Sequence, residues 1–432
     1  MKIDIPYGKK TLRMDIEDKY EVEIADMTAI PSVVDESSEI YRALQSPISS
    51  MGLDEMVHPG QRIAIVVDDI TRPTPTHKLL IPILYILAER GVPDKDIKII
   101  FANGGHRPQT KEEMQMLLGK EVVDRFEVIN HDARDNSQLD QLGHTVRGTP
   151  IAINRNVVRA DLRILTGMIK PHNQAGYSGG GKAILPGVAG IDTIMRNHSY
   201  RYVSDPFSHL GVIKGNPIRE DIEEVAGRLG PSFMVNAILK PDKSLAGVVA
   251  GDLIAAHRKG VEFLDSFSRV TVRRKADVVV AGCAYPAGID FYQTLNAITA
   301  SVRLEVPVIK AGGTIIVASE CPEGVGHRAF FDLVRHFEKP EDFLQELATS
   351  TSFRDEQYAA QIWAEALCRA RVIVVTQGIS ADDLGQLHAQ HASSLEAALR
   401  LVPQSMEGKT RLLVMPNAPY TICSLDNAQS IE

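Results

Sequence analysis

Cysteine is scarce, with four in 432 residues, and the four are widely spaced with no CxxC pair. That excludes a disulfide framework and argues against a structural zinc site. Cys283, Cys321, Cys368 and Cys423 are expected as small buried hydrophobes. Long apolar runs are missing as well. No stretch approaches the length of a membrane span, and the N-terminus MKIDIPYGKK has no apolar signal core. The chain also lacks a lysine- and arginine-rich stripe, and its net charge is −8. A nucleic-acid partner is therefore not expected. These absences make a reduced cytoplasmic compartment the expectation, with no membrane and no nucleic acid. What remains is ordinary globular composition, 44% hydrophobic and 24% charged. The length predicts two or three domains.

Short β-branched runs alternate with amphipathic, helix-length segments. Arg62–Asp69, Asp96–Asn103, Arg125–Asn130 and Leu162–Ile169 read as strands. Thr76–Arg90, entered through Pro73 and Pro75, and Thr110–Leu118 read as helices. Gly251–Arg274 reads as a mostly helical bridge. The second half repeats the pattern. Ala276–Cys283, Thr314–Ala318 and Val372–Thr376 are predicted strands; Phe291–Leu304, His327–His336, Arg354–Arg369 and Ser380–Arg400 are predicted helices. This predicts an α/β fold of two domains, each with a mostly parallel sheet flanked by helices and with the active site in the cleft between them. The expected division is 1–265 and 270–404, with the boundary near 270. The tail 405–432, whose Leu412–Cys423 contains a strand, is expected to return to the first domain.

Polar constellations sit at the carboxyl ends of the predicted strands, where ligands bind in open α/β sheets. They are DDITRPTP, GGHRP, MIKPH and GIDFYQ. The densest stretch runs from Met168 to His198 and holds His172, Ser178, Gly179, Gly180, Gly181, Lys182 and His198. GYSGGGK resembles a phosphate-binding P-loop, but Ala183 stands where a metal-binding hydroxyl belongs. Pro186 would also disrupt the helix that such a loop requires. The glycines still allow backbone N–H groups to approach an anion. Arg72 can grip a carboxylate in a bidentate fashion. Read blandly, Asp69, Thr71 and Arg72 form only a helix entrance. His106 follows two glycines that leave its ring open. His77, His131, His144, His209, His257, His388 and His391 have no comparable setting.

Together, DDxTRPTP, GGHRP, the PHxxxGxSGGxKxxxPG run and the downstream NHS resemble the nickel-dependent lactate racemase family over nearly the whole chain. The resemblance implies a nickel pincer nucleotide, pyridinium-3,5-bisthiocarboxylic acid mononucleotide, tethered covalently to Lys182. It implies His198 as the protein ligand of nickel, a geometry that suits imidazole and sulfur donors. It implies cofactor contacts from Asp69, Thr71, Ser178, Gly179 and Gly180, with the phosphate in the glycine clasp. His106 and His172 become the two acid–base residues on opposite substrate faces. Arg72, Gln293 and Asn296 become the substrate-binding residues. The implied reaction is racemisation or epimerisation of a 2-hydroxy acid by proton-coupled hydride transfer, and the implied partners are that small acid and the cofactor-biosynthesis proteins.

One departure is informative. The family carries QxxK in the second domain, whereas here FYQTLNAI keeps Gln293 and places Asn296 at the lysine. An amide keeps hydrogen bonding and loses charge. A substrate larger or more hydroxylated than lactate is therefore expected. The alternatives are lactate racemase itself and a non-catalytic nickel- or nucleotide-binding homologue. A pure binder would have no use for His106 and His172. An NAD-dependent dehydrogenase would need a GxGxxG turn that is missing after the first strand.

Overall fold

The computed structural model describes residues 1–350, 352–403 and 409–426. Of the expected tail, 405–408 and 427–432 lie outside the described residues. The fold is α/β, with two large sheets flanked by helices. The first sheet has six strands in the order Leu245–Gly251, Ser232–Leu239, Leu162–Ile169, Ile63–Val67, Ile97–Phe101 and Glu127–Asn130. Every neighbouring pair is parallel except the first. IAIVV and LRILTGMI are buried at every position, as strands covered on both faces must be. Helix Thr76–Glu89 covers one face through Leu79, Leu80, Ile83 and Leu87. Helix Lys111–Leu118 begins at a Thr110–Glu113 capping box.

The second sheet runs Gln390–Ala392, Ala370–Val375, Ile309–Ser319 and Ala276–Ala284, all in parallel. Its far side departs from the expected division at both chain ends. Thr410–Met415 does not return to the first sheet; it pairs in parallel with Ala276–Ala284, Val278 opposite Leu412. Tyr20–Ile24 pairs with it in turn. The hairpin Lys2–Gly8/Lys10–Asp15 joins the end of Ala276–Ala284. The reason is burial: Leu413 and Met415 pack into the core on one face and Leu412 and Val414 into a second apolar cluster on the other, while the flanking strands satisfy both edges.

Other expectations change in detail. Ser380–Arg400 is not one helix. Ala381–Gln386 and Leu395–Arg400 are separate helices with strand Gln390–Ala392 between them, and His388 turns the chain at φ 61°. Gly251–Arg274 contains helix Ala255–Ser268 and then strand Arg269–Val272, which pairs with Ile422–Leu425. Phe291–Leu304 is helical only to Ile298, followed by a short 3-10 turn. Cys368 is exposed, while the other three cysteines are buried as expected.

The two halves share one apolar core, in which Leu165, Ile169 and Ile222 join Val279, Phe291 and Trp363. Arg303 fastens the seam. Its guanidinium donates to the carbonyls of Asn173 (2.9 Å), Val203 (2.8 Å) and Ser208 (2.6 Å) and pairs with Glu365. Among the described residues no helix is long and apolar enough to cross a membrane.

Candidate active site

Because the central strands of the first sheet run in parallel, their carboxyl ends share one edge. Ile63–Val67 delivers Asp68, Asp69 and Arg72; Ile97–Phe101 delivers His106; Leu162–Ile169 delivers Lys170 and His172. All line a single cleft, partly open to solvent. Ser178, Gly179, Gly180, Lys182 and His198 line it too, and Gln293 and Asn296 face them from the second half. Of the site residues implied by the family resemblance, only Thr71 is not in the lining. Its hydroxyl and N–H instead donate to Asp69 Oδ1, at 2.6 and 3.1 Å.

His106 Nδ1 lies 2.6 Å from Asp69 Oδ2 and donates to it, which leaves Nε2 as the free ring nitrogen. Burial alone would raise the Asp69 carboxyl, but His106, Arg72 and Thr71 outweigh it and bring it down to about 2. Burial alone would lower His106, and the Asp69 carboxylate outweighs it, so its pKa lies above the ordinary 6.5. Neighbouring Asp68 goes the other way. Burial lifts it to about 6 although Thr74 Oγ1 donates to it at 2.5 Å.

His172 has an opposite setting. The backbone N–H groups of Gln174 and Ala175 donate to its Nδ1 at 3.3 and 3.2 Å. Burial, then Lys182 and Arg72, push its pKa well below 6.5. The short ribbon Pro171–His172/Gly176–Tyr177 fixes its backbone.

Lys182 lies in the 3-10 turn Gly180–Ala183. Burial and the cations Arg219 and Arg72 push its amine well below 10.5, which favours the neutral, nucleophilic form. His198 caps helix Ile191–Asn197, and its Nδ1 donates to Ile194 O at 3.1 Å. Its Nε2 therefore carries the lone pair. Burial and Lys182 lower it to about 3, so the ring is neutral and fit to bind a metal.

The glycine loop is built differently from a free phosphate clasp. The Gly180 N–H donates to Asn236 Oδ1 (2.8 Å), and Ser178 Oγ donates to Met168 O (2.7 Å). Gly179 and Gly180 have φ of 74° and 60°. A Cβ at Gly179 would lie 2.5 Å from Asn236 Oδ1, and one at Gly180 would lie 2.9 Å from the His257 ring. These glycines are required by close packing under the loop. His257, given no role from sequence, supports it by donating Nε2–H to Ser178 O at 2.8 Å.

The opposite wall comes from helix Phe291–Ile298, which Asp290 caps by accepting from Gln293 N at 2.6 Å. Asn296 Nδ2 donates to Gln293 O at 2.9 Å. Tyr292 and Tyr358 also line the cleft, their hydroxyls 2.8 Å apart, and Tyr292 donates to buried Glu356 at 2.6 Å. The Tyr358 ring packs against His198, centroids 4.9 Å apart. Sequence reasoning missed Lys170, Tyr292, Tyr358 and Glu356. Lys170 and Tyr292 lie inside the quoted loops, so position alone could have found them. Glu356 and Tyr358 carry no pattern; Glu356 turns the chain at φ 58° to enter a helix.

Among the described residues no group of three or more His, Cys, Asp or Glu could hold a metal. His198 is a single donor, so a metal here needs donors from a bound ligand. The residues present fit a tethered group that brings further metal donors: a buried amine at Lys182 whose charged form is disfavoured, and an imidazole lone pair at His198.

The sequence matches known proteins along most of its length. Residues 7–211 match the lactate racemase N-terminal domain, and residues 271–422 match the lactate racemase C-terminal domain. Over 426 residues the chain is 30% identical to a lactate racemase of Thermoanaerobacterium thermosaccharolyticum, covering 97% of this chain and 98% of that one. Over 419 residues it is 31% identical to a lactate racemase of Lactiplantibacillus plantarum, covering 96% and 98%. The solved lactate racemase apoprotein of T. thermosaccharolyticum superposes with a TM-score of 0.89 at 30% identity, covering 98% of this chain and 100% of that one. A Thermotoga maritima protein shares the fold, with a TM-score of 0.71 at 18% identity, covering 90% and 98%.

Proposed function

From the premise that this chain belongs to the lactate racemase family, and is thus an isomerase, we propose that it inverts C2 of a 2-hydroxy acid larger or more hydroxylated than lactate. The observation that carries this reading is the convergence of His106, His172 and Arg72 with Lys182 and His198 in one cleft. Lys182 would tether the nickel pincer nucleotide and His198 would supply nickel with an imidazole nitrogen. When bound, that group would supply the acceptor and donor of the C2 hydride.

The protein's own residues handle the acid. Arg72 holds the carboxylate. One histidine takes the hydroxyl proton as C2 becomes planar, and the other returns a proton once the opposite face is attacked. Two acid–base groups are needed because the hydroxyl is approached from two sides. Asp69 orients His106 and stabilises its cationic form. Tyr292, Tyr358 and Leu295 close the cleft from the second half, which reduces competing solvent at the reacting carbon.

The test is a panel of enantiopure 2-hydroxy acids and aldonic acids with protein coexpressed with the cofactor-making enzymes, alongside intact mass and a nickel assay. Interconversion that is faster for a larger or polyhydroxylated acid than for lactate is the expected result. An adduct with nickel but no interconversion of any acid would leave a non-catalytic binder. If D- and L-lactate are the best substrates, the chain is a plain lactate racemase.

A further inference from the structure

Lys170 has no place in the reaction as described, yet it is the one residue between strand Leu162–Ile169 and the Pro171–His172 step. Its backbone is gripped from both sides: its N–H donates to Ser178 Oγ (2.9 Å) and its carbonyl accepts from Ser178 N (2.8 Å). The side chain is only 6% exposed and lines the cleft. Among the described residues its ammonium has no hydrogen-bond or ion-pair partner. It lies over the face of Tyr420, with the ring centroid 5.9 Å away. Burying an unpaired ammonium is costly, and sites that retain one reserve it for an anion or for chemistry.

The carboxylates nearby are already engaged. Asp69 is bound to His106, and Asp68 accepts from Thr74. Arg72 likewise lines the cleft with no side-chain partner among the described residues. Neither Arg72 nor Lys170 has a carboxylate within ion-pair distance among the described residues, which leaves both open to an anion in the cleft. On the opposite wall Asn296 is neutral, and its Nδ2 is turned to its own helix.

We propose that Lys170 is a substrate-binding residue which, with Arg72, holds the carboxylate of the 2-hydroxy acid and supplies from the first wall the charge that Asn296 does not supply from the second. This assignment rests on the 2-hydroxy-acid reading of the cleft. It gives the substrate a direction: carboxylate toward Arg72 and Lys170, remaining chain toward Gln293 and Asn296. Burial and Arg72 bring the free Lys170 ammonium down to about 7, and a bound carboxylate would restore the charged form.

The experiment uses cofactor-loaded protein and 2-hydroxyisobutyrate, a probe that carries the carboxylate and hydroxyl but no hydrogen on C2. It binds without turnover, so calorimetry reads affinity alone. Lys170→Gln and Lys170→Met should each weaken the probe by about tenfold or more, the scale of a lost hydrogen bond to a charged group. KM for the reacting acid should rise similarly, with kcat changed less. Intact mass should show the same adduct as wild type, and melting should show a folded protein. Asn296→Lys in the Lys170→Gln background should recover part of the affinity. Probe affinity within twofold of wild type in both folded variants overturns the assignment. Loss of the adduct in both variants overturns it in favour of a nucleotide contact. A wild type that binds the probe through Lys170 but racemises nothing would sink the racemase reading and leave the carboxylate contact standing.

Discussion

The two walls of the cleft differ in kind. The first wall carries the titratable groups: His106, His172, Lys182 and His198, with Arg72 and Lys170 as cations. The second wall offers amides and phenols from Gln293, Asn296, Tyr292 and Tyr358. Each wall includes residues carried beyond the end of a parallel strand, His106 after Ile97–Phe101 and Gln293 after Ala276–Ala284, so topology alone does not explain the contrast. Burial does. On the first wall it depresses Lys182, His172 and His198, and only Asp69 reverses the effect, at His106. On the second wall burial instead holds Tyr292 and Tyr358 protonated far above 10. A wall of shifted acids and bases suits bond making; a wall of neutral hydrogen-bonding groups suits choice of substrate. The comparison breaks if changes at His106, His172, Lys182 or His198 alter preference only, or if second-wall changes abolish chemistry.

The largest effect belongs to Lys182. Lys182→Ala should remove the covalent adduct from intact mass and abolish interconversion while the protein still folds, because no backbone role depends on the side chain. An adduct of unchanged mass in the alanine variant would detach Lys182 from the tether. His106→Ala and His172→Ala come next. Each should slow both directions by about 10²–10⁴-fold, the usual contribution of a positioned acid or base. Initial-rate assays of each enantiomer decide it, and a variant at the wild-type rate removes that ring from the proton path.

How much of this was legible depends on whether a residue's role is local. The strand-end loops announced themselves through residue type and position, which brought out Asp69, Arg72, His106 and His172, whereas the roles of Lys182 and His198 came with the family resemblance. The parallel α/β pattern was readable for the same reason, since buried β-branched runs such as IAIVV repeat in order. What sequence could not give was partnership across long separations. Thr410–Met415 reads as a strand, but its neighbours Ala276–Ala284 and Tyr20–Ile24 are chosen by which edge of a sheet stands open. Ser178 and Gly180 looked like anion ligands until Met168 and Asn236 were seen to occupy their donors. Lys170 was missed because the absence of a partner is visible only in three dimensions.

Asp69→Asn sharpens the first wall. Asp69 raises His106, so the amide should lower its pKa. Each turnover takes the hydroxyl proton at one histidine and returns one from the other, so the pair must hold a single proton whichever enantiomer reacts. With His172 held well below 6.5, that proton rests on His106, and activity is lost as pH rises through the His106 pKa. Both enantiomers share this high-pH limit, because the equilibrium constant ties their kcat/KM values, and it should move to lower pH in Asp69→Asn. A kcat/KM profile that keeps its wild-type high-pH limit would show that His106 does not set it.

The smallest change concerns Asn296 on the second wall. In wild type the amide can meet a hydroxyl of a longer acid but gives lactate, with one carboxylate and one hydroxyl, nothing that Arg72 and Lys170 do not already provide. Asn296→Lys places a charged donor there. A hydrogen bond from a charged group is worth about 1.5–3 kcal/mol, but a third cation beside Arg72 and Lys170 is repelled and desolvated, so the net gain for lactate should be smaller. A polyhydroxylated acid loses its amide contact and should bind less well. The ratio of kcat/KM for an aldonic acid to that for lactate should therefore fall by about tenfold, equivalent to about 1.4 kcal/mol. The fall should appear in KM more than in kcat, because the amide touches the chain beyond C2 and not the reacting carbon. An unchanged ratio would mean that Asn296 does not face the substrate chain, and discrimination would then rest with Gln293, Tyr292 and Tyr358 alone.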